Sequence, residues 1–167
     1  MKDISSVTRA LRRGVEADPS FGAVAPPIYL SSNFAFEQLG ERGEYDYSRS
    51  HNPTRDLLAD ALTDLEGGSG TVITSSGMAA ATAVASALLR PGDGLVIPHD
   101  PYGGIWRLFT ELDDRGFFHL TTVDMTDREA VTAALDRGPK LVWLETPSNP
   151  LLRITDLRWV ASAAHEV

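Results

Sequence analysis

Apolar positions change their spacing near residue 54, and that change organises the chain. Leu57, Leu58, Ala61, Leu62 and Leu65 recur at helical period and predict a helix that stops at Gly67-Gly68. The short apolar run Thr71-Val72-Ile73-Thr74 predicts a strand. After Ser75-Ser76-Gly77 comes an alanine-rich helix, Met78 to Leu89, closed by Pro91-Gly92. The pattern then repeats. Strands are predicted at Leu95-Val96-Ile97, Phe117 to Val123 and Leu141-Val142-Trp143-Leu144, with helices at Ile105 to Arg115, Asp127 to Arg137 and Asp156 to Val167. Strand and helix alternate four times. Such alternation implies an α/β domain with a mostly parallel sheet, right-handed crossovers and helices on both faces. There is no internal repeat and no low-complexity tract. The array stops on a helix with no following strand, so it is expected to be part of a larger domain.

Residues 14–53 read differently. They are rich in Gly, Pro, Ser and aromatic residues, with little periodicity. Pro26 and Pro27 exclude helix and favour extended backbone. Phe21, Ile28, Tyr29, Leu30, Phe34 and Phe36 are too apolar for a disordered tail. Residues 1–53 are therefore expected to form an ordered arm docked against a partner, and residues 54–167 an α/β unit.

Composition narrows the classes. The chain has 167 residues, 43% of them hydrophobic, enough for one ordinary domain or part of one. Acidic residues outnumber basic ones, 23 to 15, giving a net charge of −8. A nucleic-acid binder would need a basic stripe instead. With no cysteine there is no disulfide framework and no thiolate metal site, and no metal is expected. No run approaches the roughly 18 apolar residues of a membrane span, and MKDISSVTRALRRG lacks a signal-peptide core. A soluble, cytoplasmic protein is expected. Its only lysines are Lys2 and Lys140, and Lys140 opens a strand.

In open α/β sheets, ligands bind beyond the carboxyl ends of the strands. Three such ends carry polar turns: Ser75-Ser76-Gly77-Met78, His99-Asp100-Pro101-Tyr102 and Thr146-Pro147-Ser148-Asn149. Gly77 is expected to let the strand turn sharply into a helix, whose free N–H groups and positive dipole end suit a phosphate. An ordinary turn with no ligand is equally compatible with that tripeptide. No Gly-Lys-Ser/Thr follows, so it is not a P-loop, and Gly67-Gly68-Ser69-Gly70 precedes its strand and reads as a helix stop. Tyr102 can lay its ring over a planar ligand, or be a surface tyrosine. Asn149 can donate to a ring oxygen, or form an Asx turn. Tyr47 and Arg49, two apart in Asp46-Tyr47-Ser48-Arg49-Ser50-His51-Asn52-Pro53-Thr54-Arg55, would project to one side of an extended backbone. A phenol beside a guanidinium makes an anion clamp, unless the segment is merely solvated.

Taken together, APPIYLSSNF, YDYSRSHNPTRD, LEGGSGTVITSSGMAA, PHDPYGGIWRLF and KLVWLETPSNPLLRITDL resemble the Cys/Met-metabolism family of pyridoxal 5′-phosphate (PLP) enzymes over essentially the whole chain. PHDPYGGIWRLF and PSNPLLRITDL look more like the family's synthase branch, whose members make cystathionine from a homoserine ester and cysteine. The alternatives are its γ- and β-lyases, its homoserine-ester sulfhydrylases, or a short phosphate-binding chain without catalysis. The resemblance implies the aspartate aminotransferase-like (fold type I) PLP domain, here only its first half. It also implies a homotetramer of tight dimers with sites shared between subunits and amino-acid substrates. By the same resemblance, Gly77 and Met78 would bind the cofactor phosphate through backbone amides, and Tyr47 and Arg49 the phosphate of the neighbouring subunit. Tyr102, assigned to catalysis, would stack on the pyridine ring, with Asn149 near its phenolic oxygen. Asp46 and Arg107 would face the substrate. Some synthases carry a second arginine where this chain has Ser50. The family's cofactor-bearing lysine and ring-nitrogen aspartate match no residue here, and neither Lys2 nor Lys140 stands at the lysine's place.

Overall fold

A computed structural model of the chain describes residues 4–16, 18 and 20–167. Lys2 lies outside the described residues. The chain divides after Ile73 into two compact units. The boundary therefore follows the first long helix, which joins the arm's unit.

The second unit is built on three parallel strands, β1 (Gly94–Pro98), β2 (His119–Val123) and β3 (Leu141–Val142), in the order β2-β1-β3. Their register pairs Gly94 with His119 and Pro98 with Val123 on one side of β1, and Leu95 with Leu141 on the other. The central strand is buried along Leu95–Pro98, as expected when helices cover both faces. Alternate residues of β1 serve opposite faces. Leu95 and Ile97 join Ala81, Ala85 and Leu89 of the helix α3 (Gly77–Leu88) segment and Ile105 and Phe109 of α4 (Gly103–Asp114). Val96 joins Val131, Ala134 and Leu135 of α5 (Arg128–Leu135) and Val160 of α6 (Leu157–His165). Ala81 and Ala85 thus let α3 lie close on the sheet. Phe109 anchors its layer, edge-on to both Phe118 and Trp143.

The first unit holds α1 (Ser6–Leu11), α2 (Pro53–Glu66) and the arm between them. Helix α1 has no counterpart in the apolar pattern because it buries nothing. Ser5 caps it, and ion pairs hold its segment to α2: Arg9 to Asp64 at 3.0 Å and Arg13 to Asp60 at 2.7 Å. Helix α2 begins as its sequence dictates, with Asn52 accepting the Thr54 N–H and proline in the first turn, and ends on Gly67 at φ 63°. The glycine cluster is therefore a helix stop, as read.

The expected strand at Thr71–Thr74 does not form. A strand requires a neighbour for its N–H and C=O groups. Among the described residues none pairs with this segment, and both edges of β1 are taken by β2 and β3. The last strand also shortens to Leu141–Val142, although the Trp143 N–H still donates to the Val96 carbonyl at 2.8 Å. Among the described residues, no helix is long and apolar enough to cross a membrane.

Candidate active site

Parallel strands place Pro98, Val123 and Val142 at one edge of the sheet. Helix α3 leads back to the start of β1, so its own N-terminus lies at that same edge. Three sequence-predicted groups converge there.

The first is the start of α3. Ser76 is extended (φ −163°, ψ 161°), and its hydroxyl caps the helix by accepting the Ala79 N–H at 3.1 Å. The sharp turn expected of Gly77 is made at Ser76, and Gly77 is already the first residue of the helix. Gly77 instead matters for what it lacks, since a Cβ there would meet nothing within 4 Å and the space above it is open. Among the described residues, the Gly77 and Met78 N–H groups donate to no acceptor. Two free donors at a positive helix end, facing open space, fit a phosphate.

The second is Tyr102. It is the N-cap residue of α4, half exposed, and its side chain makes no capping bond. Its ring lies against Gly104. A Cβ on Gly104 would come within 2.4 Å of the ring and 2.8 Å of the Met78 sulfur. Glycine at this position is what lets the ring sit beside the start of α3. Arg107 turns back along α4, its Nη1 lying 3.4 Å from where a Gly103 Cβ would be.

The third is the loop after β3. Asn149 is exposed, and among the described residues its side chain has no hydrogen bond. The bonds Thr146–Pro147 and Asn149–Pro150 are cis. Ser148, beside it, is buried at 3% exposure. The Ser148 hydroxyl donates to Asp100 at 2.7 Å and accepts the Arg153 N–H at 3.1 Å. Arg153 reaches Asp124 at 2.6 Å. Leu152 is held left-handed at φ 53°, its N–H on the Ser148 carbonyl. Asp124 is held down at about 2 by hydrogen bonds from the Thr126 side chain and backbone, then by Arg153. Asn149 is thus presented outward by a pinned loop rather than turned into an Asx turn.

Tyr47, Arg49 and Asp46 belong to the first unit. Tyr47 bridges to Asn33, but residues 48–50 form a turn, not the expected extended run. Ser50 and His51 both donate their N–H to the Tyr47 carbonyl. The turn is fastened by Arg55, whose guanidinium donates to the Ser48 and Ser50 carbonyls at 3.1 and 2.6 Å. Asn52 adds a bond to the Ser48 hydroxyl at 2.8 Å. The pair still comes together: the Arg49 guanidinium sits 5.0 Å from the centre of the Tyr47 ring. Asp46 pairs with Arg42 at 3.2 Å and accepts the Tyr47 N–H.

Sequence reasoning passed over Glu145. Its two carboxylate oxygens accept the Tyr102 N–H at 2.6 Å and the Trp143 indole N–H at 2.9 Å. Its place just past β3, among the polar strand ends, was the available signal. Lys140 is exposed and precedes β3, its N–H bonded to the Gly94 carbonyl, so it stands at the opposite edge from Tyr102.

Known proteins resemble the chain over nearly its whole length. Cystathionine γ-synthase of Escherichia coli K12 is 49% identical over 160 residues, covering 96% of this chain and 42% of that protein. A crystal structure of cystathionine γ-synthase from Xanthomonas oryzae pv. oryzae in complex with cystathionine superposes with a TM-score of 0.95. It is 57% identical and covers 99% of this chain and 43% of that one. Cystathionine β-lyase of Coxiella burnetii is 42% identical, covering 95% of this chain and 41% of the lyase. The chain therefore spans about two fifths of these relatives' length. The family model for Cys/Met metabolism PLP-dependent enzymes matches residues 7–167, and the chain belongs to that PLP-dependent family.

Proposed function

We propose that this chain is the cofactor-phosphate and ring-covering part of a cystathionine γ-synthase. Such an enzyme replaces the ester group of an O-acylhomoserine, of which O-succinyl-L-homoserine is the leading candidate, with the sulfur of L-cysteine. The observation that carries the cofactor reading is the pair of free N–H groups on Gly77 and Met78 beside the ring of Tyr102. A phosphate donor pair next to an aromatic plate matches a flat, phosphorylated ligand. The synthase reading is supported by the higher identity to synthases, 49% and 57%, than to the β-lyase, 42%.

Bound there, PLP supplies an electron sink for the substrate carbons next to the amino group. The residues of this chain hold and shield it. Gly77 and Met78 donate to its phosphate, and the helix dipole favours that charge. Tyr102 covers one face of its ring and excludes water there. Asn149, held outward by Ser148, donates toward the ring oxygen. Arg107 and Asp46 face substrate groups. Tyr47 and Arg49 clamp the phosphate bound by a neighbouring subunit, which makes the site a shared one. The exposed apolar arm supports an oligomeric interface, and we extend the reading to a cytoplasmic homotetramer.

The test is steady-state assay of the protein from the complete coding sequence, loaded with PLP. Formation of cystathionine from O-succinylhomoserine and cysteine should exceed cystathionine cleavage at least tenfold. Faster cleavage would reassign it to the lyase branch. Sharing is tested by mixing a Tyr47→Phe preparation with a Tyr102→Ala one. Recovery of activity on mixing is expected, whereas activity equal to the average of the two parts excludes a shared site.

A further inference from the structure

Helix α4 starts at an unusual residue. Its N-cap is Tyr102, whose side chain makes no capping bond, and its first two helical residues are Gly103 and Gly104. A helix start is ordinarily held by a capping oxygen together with an acidic residue three positions on, which reaches back to the cap N–H. Here that third position is Ile105, buried in the core. The missing acceptor comes from another part of the chain. Glu145, just beyond β3, accepts the Tyr102 N–H at 2.6 Å, placing a carboxylate at the positive end of α4. Its other oxygen is taken by the Trp143 indole at 2.9 Å, and Trp143 is itself packed edge-on against Phe109. The carboxylate is thereby steered from the core, and it in turn fixes the backbone of the residue whose ring covers Gly104. Nothing else among the described residues accepts from the Tyr102 N–H.

We infer that Glu145 is the positioning residue for Tyr102: a carboxylate with two donors to satisfy, which sets where the aromatic plate lies over the cofactor. The inference rests on the PLP reading above. It makes a particular demand on chemistry. Both partners of Glu145 are N–H donors, so both of its oxygens must accept. A glutamine keeps the size but has only one acceptor oxygen, and its amide NH2 would face a donor on the other side. Removing the indole donor should relieve that conflict and let glutamine serve Tyr102 alone.

The experiment therefore uses Glu145→Gln, Trp143→Phe and the two combined, in the protein from the complete coding sequence. PLP affinity is measured by titration. Visible circular dichroism of the bound cofactor at saturation reports the asymmetry of the ring's surroundings. Glu145→Gln should weaken PLP about tenfold, as expected for a charge-assisted bond replaced by an unmatched donor, and should change the dichroism of the bound cofactor. Trp143→Phe alone should leave the dichroism close to wild type. The double variant should return affinity and dichroism toward those of Trp143→Phe. A Glu145→Gln protein with lowered melting temperature but unchanged affinity and dichroism would reduce Glu145 to a structural role and overturn the inference. Failure of the double variant to recover would do the same. If Glu145→Gln alone does not fold, the double variant decides: wild-type-like dichroism supports the assignment, and failure to fold or recover overturns it. Wild-type protein that takes up no PLP would instead sink the functional reading itself.

Discussion

The two units treat their apolar residues in opposite ways. In residues 74–167, apolar side chains are buried on both faces of a three-stranded sheet, and Phe109, Leu95, Ile97 and Val160 are 0% exposed. In the first unit neither helix buries a residue completely, and Phe21, Leu30 and Leu39 are at least 90% exposed. Beside partly buried apolar contacts such as Phe34 on Tyr45, the first unit relies on polar ones: ion pairs between the α1 segment and α2, the Arg55 fork on the turn, and the Asn52 cap. One unit is held by burial, which is non-directional and large. The other leans more on directed bonds, each of which contributes little at an exposed surface. An arm so dressed in uncovered apolar groups is suited to a surface it does not itself contain.

The contrast can be broken most severely from the buried side. Phe109→Ala should destabilise the α/β unit by about 3–5 kcal/mol, because a large cavity opens between Phe118, Trp143 and Ile97. Chemical denaturation should show it as a lowered midpoint. Leu39→Ala in the arm, by comparison, should move that midpoint very little. Next in size is the directed-bond region. Arg49→Ala should weaken cofactor retention in the assembled protein by about 1.5–3 kcal/mol, read as PLP lost on dialysis. Unchanged retention would remove Arg49 from the clamp.

Helix capping gives a smaller effect. Ser76→Ala should cost about 1 kcal/mol by removing the acceptor of the Ala79 N–H, and it should leave the Gly77 and Met78 donors in place. Thermal unfolding and PLP titration together check both halves of that statement. Smallest is the contribution of Asp124. Its carboxyl is lowered from 3.8 to about 2, first by the Thr126 hydroxyl and backbone and then by Arg153. A depressed acid contributes stability above pH 3.8, and that contribution is lost as pH falls toward 2. The group is more than a third exposed, so the effect should be under about 1 kcal/mol after solvent screening. Asp124→Asn should flatten stability over this window, and a profile as steep as wild type would assign the acid loss elsewhere.

Several of these features were legible in the residues alone. Period-two burial is hidden in a fully buried strand, yet Leu95-Val96-Ile97 stood out between a Pro-Gly stop and a polar turn. Gly67 marked the end of α2, because capping chemistry is local, whereas the Asn52 cap at its start went unread. The candidate site was legible as polar turns: those after β1 and β3 lie at strand ends, which a parallel sheet collects at one edge, whereas residues 75–78 belong to the start of α3 instead. Thr71–Thr74 misled because strand formation depends on a partner, which a short apolar run does not encode. The turn at Ser48–Ser50 was missed because Arg55, some five residues on, supplies the bonds that make it. Gly77 was credited with a turn that Ser76 makes in ordinary extended backbone.

The division between chain and fold follows from range. Residues along the chain were enough for most of the strand–helix alternation, the helix stop at Gly67, the acidic balance, the missing cysteines and the motifs that resemble a PLP enzyme. All of these depend on residues a few positions apart, or on composition. Only the tertiary structure decided that Tyr102 lies over Gly104 beside Met78, that Asp100 and Ser148 hold the loop of Asn149, and that Glu145 supplies the acceptor α4 lacks. Apart from Tyr102 over Gly104, those contacts join residues about 25 to 50 positions apart along the chain. Hydrogen bonds act over about 3 Å, so only the closing of a parallel sheet brings such donors and acceptors into reach.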